Sequence, residues 1–338
     1  AWVYGYSKEK VAQNTERLVQ NYNKELKRLK NIPVNERKDL LNRKSDYINW
    51  SRKLERFALN DIELEYHQNH LKLSLYRPFT KKWVYHDKTL NEEARLYYNK
   101  FGQNNLVINT TGRGATRDFS PLVVDCIPSN DFMEKGQGFM RYDNEVDETL
   151  LFQNNDNINQ SFADKLGLSL DDTFAYVYGL LNSKEYQEKY TNDLKKDLAR
   201  IPIVKNKERY VEVGKALMDL HLNYEEVSVY DGVEITSLVN ASYKVTKMRF
   251  AKKNAENGKS VNDLSAIKFN SDITISNIPE KAYEYVVNGR SAIEWIIDQY
   301  QVKTDKKSGI TDDPNDDEEH NGGYFKRAIE NLSKYKGK

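Results

Sequence analysis

A change of hydrophobic period partway along the chain is the feature that most constrains its fold. Apolar residues first recur every three or four positions, which is the spacing of one face of an α-helix; they are Val11, Leu18, Tyr22, Leu26 and Leu29. From residue 71 onward they alternate with polar residues, as in a half-buried β-strand. A long amphipathic helix followed by strands predicts segregated blocks of helix and sheet, and therefore an α+β fold.

Shorter patterns extend both kinds of block. Ser7 is placed to cap the first helix. Further helices are predicted around 47–58, 174–198, 210–220 and 293–300, and strands around 71–75, 82–86, 106–108, 122–127, 139–142, 243–250, 266–269 and 273–275. The charged stretch 303–323 is predicted to be a mobile loop before a terminal helix over about 324–335.

These elements predict two parts. Residues 1–60 form a helical linker segment, and residues 61–338 form a larger domain with long helices and a mixed or antiparallel sheet, with a possible sub-boundary near 150–160. The start of the chain, Ala1-Trp2-Val3-Tyr4, has no signal-peptide character, and we interpret the chain as a piece of a longer polypeptide.

Composition excludes several classes of protein. Hydrophobic residues make up 38% and charged residues 30% of the 338 positions. These proportions are typical of a globular chain and not of a disordered one. No apolar run approaches the roughly 20 residues that span a bilayer, so a membrane role is not expected. Cys126 is the single cysteine, which excludes an intrachain disulfide and fits a reducing cytoplasm.

Charge is distributed unevenly, although the net charge is only +1. Residues 1–56 carry 14 Lys and Arg against 7 Asp and Glu, and residues 72–117 carry 9 against 3. Residues 131–172 carry 3 against 10. A basic N-terminal third is suited to a polyanion such as nucleic acid. A solvated helix face explains the same distribution equally well.

Motifs of common enzymes are missing from the sequence. There is no glycine-rich loop ending in Gly-Lys-Ser/Thr for nucleotide phosphates and no Gly-x-Ser-x-Gly elbow. His67 and His70 would need a nearby glutamate to complete a metal site, and a solvated turn is the alternative. His221, between two leucines, is expected to pack in the interior. The chain is therefore predicted to bind and not to catalyse, with no catalytic residue, metal or cofactor of its own.

The stretch 105–127 contains the strongest candidate for a binding element. Two β-favouring runs flank a polar segment, 109–118, that holds two arginines, two glycines and three threonines. Such a segment can project hydrogen-bond donors from a stiff base toward a ligand. The alternative is an ordinary surface loop whose arginines pair with Asp118 and Asp125.

Several motifs together resemble one family, the Type ISP restriction–modification enzymes. Tyr76-Arg77-Pro78-Phe79 followed by Lys81-Lys82-Trp83-Val84-Tyr85 is similar to the sequence that opens their C-terminal specificity region. Residues 1–7 are similar to the end of their methyltransferase core, and 174–183, 193–202 and 285–295 are similar to later family motifs in the same order. The chain departs from the pattern where Lys184 and Ala199 replace prolines at turns.

The resemblance implies a single bacterial, cytoplasmic polypeptide in which a nuclease, an ATP-dependent translocase and an adenine methyltransferase precede this region. The chain itself would recognise a specific sequence of double-stranded DNA and so select the site that is methylated or that triggers translocation and cleavage. S-adenosylmethionine, ATP and magnesium would be bound elsewhere in that polypeptide, by the domains that are the partners of this one.

If the chain binds DNA, its polar residues divide between bases and phosphates. Predicted to read bases are Asn109, Thr111, Arg113, Thr116 and Arg117, because arginine offers guanine two donors and asparagine can pair in the same way with adenine. Predicted to contact phosphates are Lys81, Lys82, Thr110, Lys24, Lys27, Arg28 and Lys30. Arg77 is expected to pair with a carboxylate inside the domain, and the acidic stretch 131–172 to face away from DNA.

Two other functions stay open at this point. One is a protein-interaction scaffold without base readout, whose surface would be the tyrosine-rich helices of 174–198. The other is a nuclease whose acidic residues are too dispersed in the sequence to recognise.

Overall fold

A computed structural model describes residues 1–91, 105–143, 155–228 and 230–316. Its α-helices are α1 (Lys8–Leu29), α2 (Val34–Leu40), α3 (Arg52–Leu59), α4 (Gln160–Leu166), α5 (Leu170–Leu181), α6 (Lys184–Lys189), α7 (Thr191–Leu194), α8 (Lys207–Leu222) and α9 (Ala292–Gln299). Its first strands are β1 (Tyr4–Gly5), β2 (Leu71–Arg77), β3 (Thr80–Tyr85), β4 (Val107–Thr110), β5 (Pro121–Val124), β6 (Ile127–Pro128) and β7 (Gln137–Met140). The later strands are β8 (Glu234–Ser237), β9 (Arg249–Asn254), β10 (Ser260–Lys268), β11 (Ile273–Ser276), β12 (Val286–Val287), β13 (Arg290–Ser291), β14 (Lys303–Thr304) and β15 (Thr311–Asp312). The predicted α+β class is confirmed, and the helix predicted over 324–335 lies outside the described residues.

Helix α1 begins and packs as its sequence pattern predicts. The hydroxyl of Ser7 accepts a hydrogen bond from the backbone N–H of Lys10 at 3.2 Å. This bond satisfies one of the free donors at the helix start. The apolar stripe forms the buried face, and its C-terminal part packs with Leu41, Ile48 and Leu54. Helices α1 and α3 therefore share a small core with residues 41–50 between α2 and α3.

The first sheet has the strand order β1-β3-β2-β6, antiparallel except for the parallel pair β2 and β6. Strands β2 and β3, both predicted from the sequence, pair as a hairpin around Pro78 and Phe79. Phe79 has a φ of +59°. This conformation costs a non-glycine residue about 1 kcal/mol. Its buried ring, 5.5 Å from that of Tyr224, offsets this cost by packing.

Strand β1 joins the sheet to the N-terminal helices. Tyr4 pairs with Val84 of β3, and the hydroxyl of Tyr6 donates to the carbonyl of Gln299 at 2.9 Å. These contacts connect residues on the two sides of position 60, where the sequence predicts a boundary. The division itself stays a prediction.

The second sheet has the order β5-β4-β7, and helices α5 and α8 cover it. The two helices touch at Gly179 and Gly214. A Cβ on Gly214 would lie 1.9 Å from the carbonyl oxygen of Ala175, and one on Gly179 would lie 2.2 Å from that of Tyr210. Only residues without a side chain permit so close a backbone approach.

A buried hydrogen-bond chain links this helix pair to the sheet. The hydroxyl of Tyr178 accepts from the backbone N–H of Val123 at 3.1 Å and bonds to Nδ1 of His221. Burial lowers the pKa of His221 to about 4. The imidazole is therefore neutral at pH 7. The prediction that His221 packs in the interior is confirmed.

The third sheet has the order β8-β11-β10-β9 and is antiparallel throughout. Strand β9 was expected over 243–250, but the structure places it at Arg249–Asn254, and β8 was missed because its four residues carry a single strongly apolar side chain. Strands β14 and β15 pair within the stretch predicted to be a mobile loop. That prediction is wrong for residues 303–312.

The helix predicted across 186–198 is also corrected. It is divided into α6 and α7 and ends at Leu194, and Leu198 is 45% exposed. Among the described helices, none is both long enough and apolar enough to cross a lipid bilayer.

Candidate functional site

The predicted projection at residues 109–118, which we call the arginine loop, connects β4 and β5 but lies on the body of the protein. Asn109, Thr110 and Thr111 are each at most 5% exposed. Strand β4 is the central strand of its sheet, between β5 and β7, and all four of its residues are buried. The base contacts predicted for Asn109 and Thr111 and the phosphate contact predicted for Thr110 therefore stay predictions, and in this structure the three side chains are buried.

The far half of the arginine loop is held by one carboxylate. Glu134 accepts hydrogen bonds from the backbone N–H groups of Thr116 at 3.1 Å and Arg117 at 3.0 Å, and from the Thr116 hydroxyl at 3.1 Å. These bonds, led by that of the Thr116 amide, lower the pKa of the Glu134 carboxyl below its ordinary value of 4.5. The Thr116 hydroxyl is therefore engaged within the protein.

Arg117 is anchored on its side-chain end as well. Its Nη1 donates to the backbone carbonyl of Asn288, and its Nε lies 4.0 Å from the Glu134 carboxylate. Asn288 is buried, with a φ of +50°, and its side-chain oxygen accepts from the backbone N–H of Glu134 at 3.0 Å. The predicted pairing of the loop arginines with Asp118 and Asp125 is not what holds them: Asp118 pairs instead with Lys195 at 3.2 Å.

Arg113 differs from every other predicted base-reading residue. Its side chain is exposed and has no hydrogen-bond or ion-pair partner within the described part of the chain. The backbone beneath it is fixed: a Cβ on Gly112 would lie 1.6 Å from the carbonyl oxygen of Lys135, and the N–H of Gly114 donates to the carbonyl of Lys195 at 2.8 Å. A free guanidinium on a rigid backbone is suited to binding an external acceptor.

Lys81 and Lys82 are both engaged in ion pairs inside the protein. Lys81 Nζ lies 2.9 Å from Glu225, and although burial alone lowers the pKa of Lys81, the carboxylate outweighs it and the net shift is upward. Lys82 Nζ lies 2.6 Å from Asp312, and burial lowers its pKa. The side chain of Lys82 is 9% exposed and its ammonium pairs with Asp312, so the phosphate contacts of Lys81 and Lys82 stay predictions.

The predicted phosphate contacts on α1 remain accessible. Lys24, Lys27, Arg28 and Lys30 are exposed at the C-terminal end of the helix. Arg28 makes a two-point contact with Glu25, at 2.6 and 2.9 Å, which occupies much of its guanidinium. The three lysines are thus the available cations of this group.

A second candidate for a binding element was not identified from the sequence. It is the hairpin of β9 and β10, which extends past the end of β11 in the third sheet. Residues 251–263, which we call the basic ribbon, comprise the ends of β9 and β10 and the turn between them, and include Lys252, Lys253 and Lys259. The dipeptide Asn257-Gly258 in the turn is a recognisable hairpin signal, and Gly258 has a φ of +74°. Weak hydrophobic alternation on both sides of that signal concealed the parts of β9 and β10 that form the ribbon, although strands were predicted nearby over 243–250 and 266–269.

Other predicted features are internal. Arg77 donates to the carbonyl of Tyr76 at 2.7 Å and lies 4.0 Å from Asp131, which confirms its expected pairing within the domain. In the acidic stretch 131–172, Asp156 and Asp171 pair with the buried Arg141. Within the described ranges no group of three or more His, Cys, Asp and Glu residues is arranged to hold a metal ion.

Comparison with known protein families gives a match that covers nearly the whole chain. Residues 1–325 match the protein family described as the Type ISP C-terminal specificity domain. No curated protein matches the chain.

Solved structures give more detailed matches. A nuclease-deletion mutant of the Type ISP restriction–modification enzyme LlaGI, in complex with a DNA substrate mimic, is 42% identical over 97% of this chain with a TM-score of 0.84. The ATP-dependent Type ISP enzyme LlaBIII bound to DNA is 35% identical over 98% with a TM-score of 0.83. A DrdV–DNA complex is 26% identical over 97% with a TM-score of 0.79. This chain spans 30%, 22% and 32% of those three chains, which is about a third or less of their length.

Proposed function

The chain belongs to the Type ISP C-terminal specificity domain family, and from that membership we propose that it recognises a specific sequence of double-stranded DNA within a restriction–modification polypeptide. One observation carries the proposal: the match to LlaGI, at 42% identity over 97% of this chain, is to a protein solved with a DNA substrate mimic. The recognised sequence would select where the polypeptide methylates DNA or begins translocation and cleavage.

Arg113 is the residue of the arginine loop that we propose reads a base. Its guanidinium is exposed and free among the described residues. Two parallel N–H groups of an arginine match the O6 and N7 acceptors of guanine in the major groove. Arg117, whose guanidinium is bonded to Asn288, would instead fix the loop that presents Arg113.

Sequence-independent contacts would come from α1. Lys24, Lys27 and Lys30 lie on one exposed stretch of helix. Ammonium groups near DNA phosphates release bound counterions. Removing these charges would weaken binding to all sequences alike.

Chemistry would be supplied by other parts of the polypeptide. We propose that S-adenosylmethionine, ATP and magnesium bind in partner domains of the same bacterial, cytoplasmic polypeptide, since the sequence of this chain has no phosphate-binding loop.

The rival interpretation of a protein scaffold required an exposed tyrosine surface over 174–198. Tyr176, Tyr178 and Tyr186 are buried, which removes most of that surface.

The test uses the full polypeptide that carries these residues. Duplexes selected from a random library give a preferred sequence, and anisotropy titrations compare it with a scrambled duplex. The Arg113→Ala variant is expected to lose discrimination at one base pair by about 5- to 100-fold, as one bidentate contact predicts. Arg209→Ala, an exposed arginine on α8, is the matched control. A wild-type polypeptide that prefers no sequence would refute the proposed function.

A further inference from the structure

We propose that the basic ribbon is a second DNA-reading element, which enters the major groove of a duplex tip first, with its polar face toward the base edges and with Arg249 and Lys268 on the phosphates at its root. The inference rests on the proposed function, since it takes double-stranded DNA as the ligand, and it assigns base contacts to residues outside the arginine loop.

The ribbon projects from the body with little support. Strand β11 pairs with β10 only at Ile267 and Lys268, so the part of β10 at Ser260–Asp263 pairs with β9 alone. The last point of attachment is at Leu264 and Ser265, whose carbonyls accept from Tyr283 at 2.6 Å and from the N–H of Ile278 at 3.0 Å. A Cβ built on Gly258 meets no atom within 4 Å, so the tip lies in open space.

The dimensions of the ribbon suit the major groove. Four residues of extended strand span about 13 Å, and two paired strands lie about 4.8 Å apart. The major groove is about 12 Å wide and about 8.5 Å deep, and it admits a two-stranded ribbon. The ribbon is thus long enough to bring its side chains to the floor of the groove while its root stays at the phosphates.

The register gives the ribbon two chemically different faces. Lys252 is opposite Asn262, and Asn254 is opposite Ser260, so these four side chains share one face. The contact of 2.7 Å between Lys252 Nζ and the Asn262 side-chain oxygen confirms that they point the same way.

This polar face carries amide, ammonium and hydroxyl groups and no acid. Lysine and asparagine are residues that discriminate guanine and adenine, respectively, in the major groove. The opposite face holds Lys253 and Asp263, which pair at 3.5 Å, beside Ala251 and Val261. One apolar side chain of any size is too little for a protein-binding anchor, so the chemistry of the ribbon favours a polyanion.

The root of the ribbon points to the same ligand. Arg249 and Lys268 are direct cross-strand partners, and both are exposed. Like charges directly opposite each other destabilise a strand pair, and neither residue has an ion-pair partner in the ranges that the structure describes. An anion between them would turn this repulsion into attraction, and a backbone phosphate at the edge of the groove is such an anion.

Two double variants of the full polypeptide test the assignment. Asn254→Ala with Asn262→Ala is expected to reduce the preference for the selected duplex over a scrambled one by about 5- to 100-fold, with non-specific affinity unchanged. Arg249→Ala with Lys268→Ala is expected to weaken binding to both duplexes and to lower the slope of log K against log salt by about 2.

Lys306→Ala with Lys307→Ala, two exposed lysines on the β14–β15 turn, is the charge-matched control and is expected to leave both quantities unchanged. Circular dichroism and limited proteolysis confirm that each variant folds. A third variant, in which Asn-Gly replaces residues 253–261, removes the tip but keeps the pair Lys252 and Asn262, and we expect it to lose sequence preference as well.

The outcomes separate the two proposals. If the wild-type polypeptide discriminates between duplexes but all three ribbon variants match it, the ribbon assignment is overturned and the proposed function stands. If the variants bind DNA normally but lose activity elsewhere in the polypeptide, the ribbon contacts another domain and the assignment is again overturned. If the wild type itself has no preference, both proposals fail.

Discussion

The arginine loop and the basic ribbon are both connections between antiparallel strands, and the structure treats them in opposite ways. The loop is fixed at three points, through Gly112, Glu134 and Asn288, and exposes one free arginine. The ribbon is fixed only at its root and exposes almost every side chain. The loop can present a group with precision, whereas the ribbon can adapt to a surface, and a site-reading protein has use for both.

The largest expected effect concerns the close approach of Gly112. A Cβ at this position would overlap the carbonyl oxygen of Lys135 at 1.6 Å, so that two segments of backbone must separate. We expect Gly112→Ala to lower the free energy of unfolding by at least about 3 kcal/mol, measured by urea denaturation. A loss below about 0.5 kcal/mol, which is the scale of ordinary surface substitutions, would show that the loop is not held tightly.

The two arginines of the loop are expected to respond differently. The side chain of Arg117 is 38% exposed and donates a charge-assisted hydrogen bond to Asn288. We expect Arg117→Ala, which removes this bond, to lower stability by about 1 kcal/mol. Arg113→Ala removes no contact among the described residues and is expected to change stability by less than about 0.5 kcal/mol. Urea unfolding measures both, and equal losses would contradict the division of labour between them.

The ribbon tip is expected to tolerate what the loop cannot. Gly258 has open space around it, so an added methyl group meets no neighbour, but its φ is +74°. Alanine adopts this left-handed conformation less readily than glycine. Gly258→Ala is therefore expected to cost about 1–2 kcal/mol, less than Gly112→Ala in the same urea titration. Comparable losses at both glycines would mean that the ribbon is packed and not free.

The smallest expected effect is a pH dependence carried by Glu134. Its folded pKa lies below the ordinary value of 4.5. Its contribution to stability is therefore fully present above about pH 4.5 and is lost as the pH falls through the folded pKa. Glu134→Gln cannot lose a charge in this way, and its thermal midpoint is expected to fall less than that of the wild type as the solution is acidified. If the thermal midpoints of the two proteins fall equally as the pH is lowered, this carboxylate does not secure the loop.

Elements with local signals could be predicted from the sequence. Examples are the cap of α1, its apolar stripe and the alternation of β2. Each of these signals depends on residues that are close together in the sequence. The strands on either side of the arginine loop were predicted for the same reason. These signals also place Arg113 in a connection between two strands, which is where the structure has it.

Features that depend on distant partners could not be predicted. The loop folds back because Glu134 and Asn288 hold it, and Asn288 is 171 residues from Arg117 along the chain. Lys82 has the composition of a surface cation, and only Asp312, 230 residues away, places it inside. The ribbon had a local signal in Asn257-Gly258. Its exposure arises because β11 pairs with only two residues of β10, and the sequence of one strand does not reveal how far its neighbour extends.

The register offset at the root of the ribbon has a consequence for evolution. Between the pair Ala251 and Asp263 and the pair Phe250 and Ile267, strand β10 contains three unmatched residues. Such an irregularity bends a strand and increases its local twist, and here it lies between the ribbon and the part of β10 that pairs with β11. If the ribbon reads bases as proposed, a change in the length of this one hairpin would alter the target preference while the pairing of β10 with β11 stays the same.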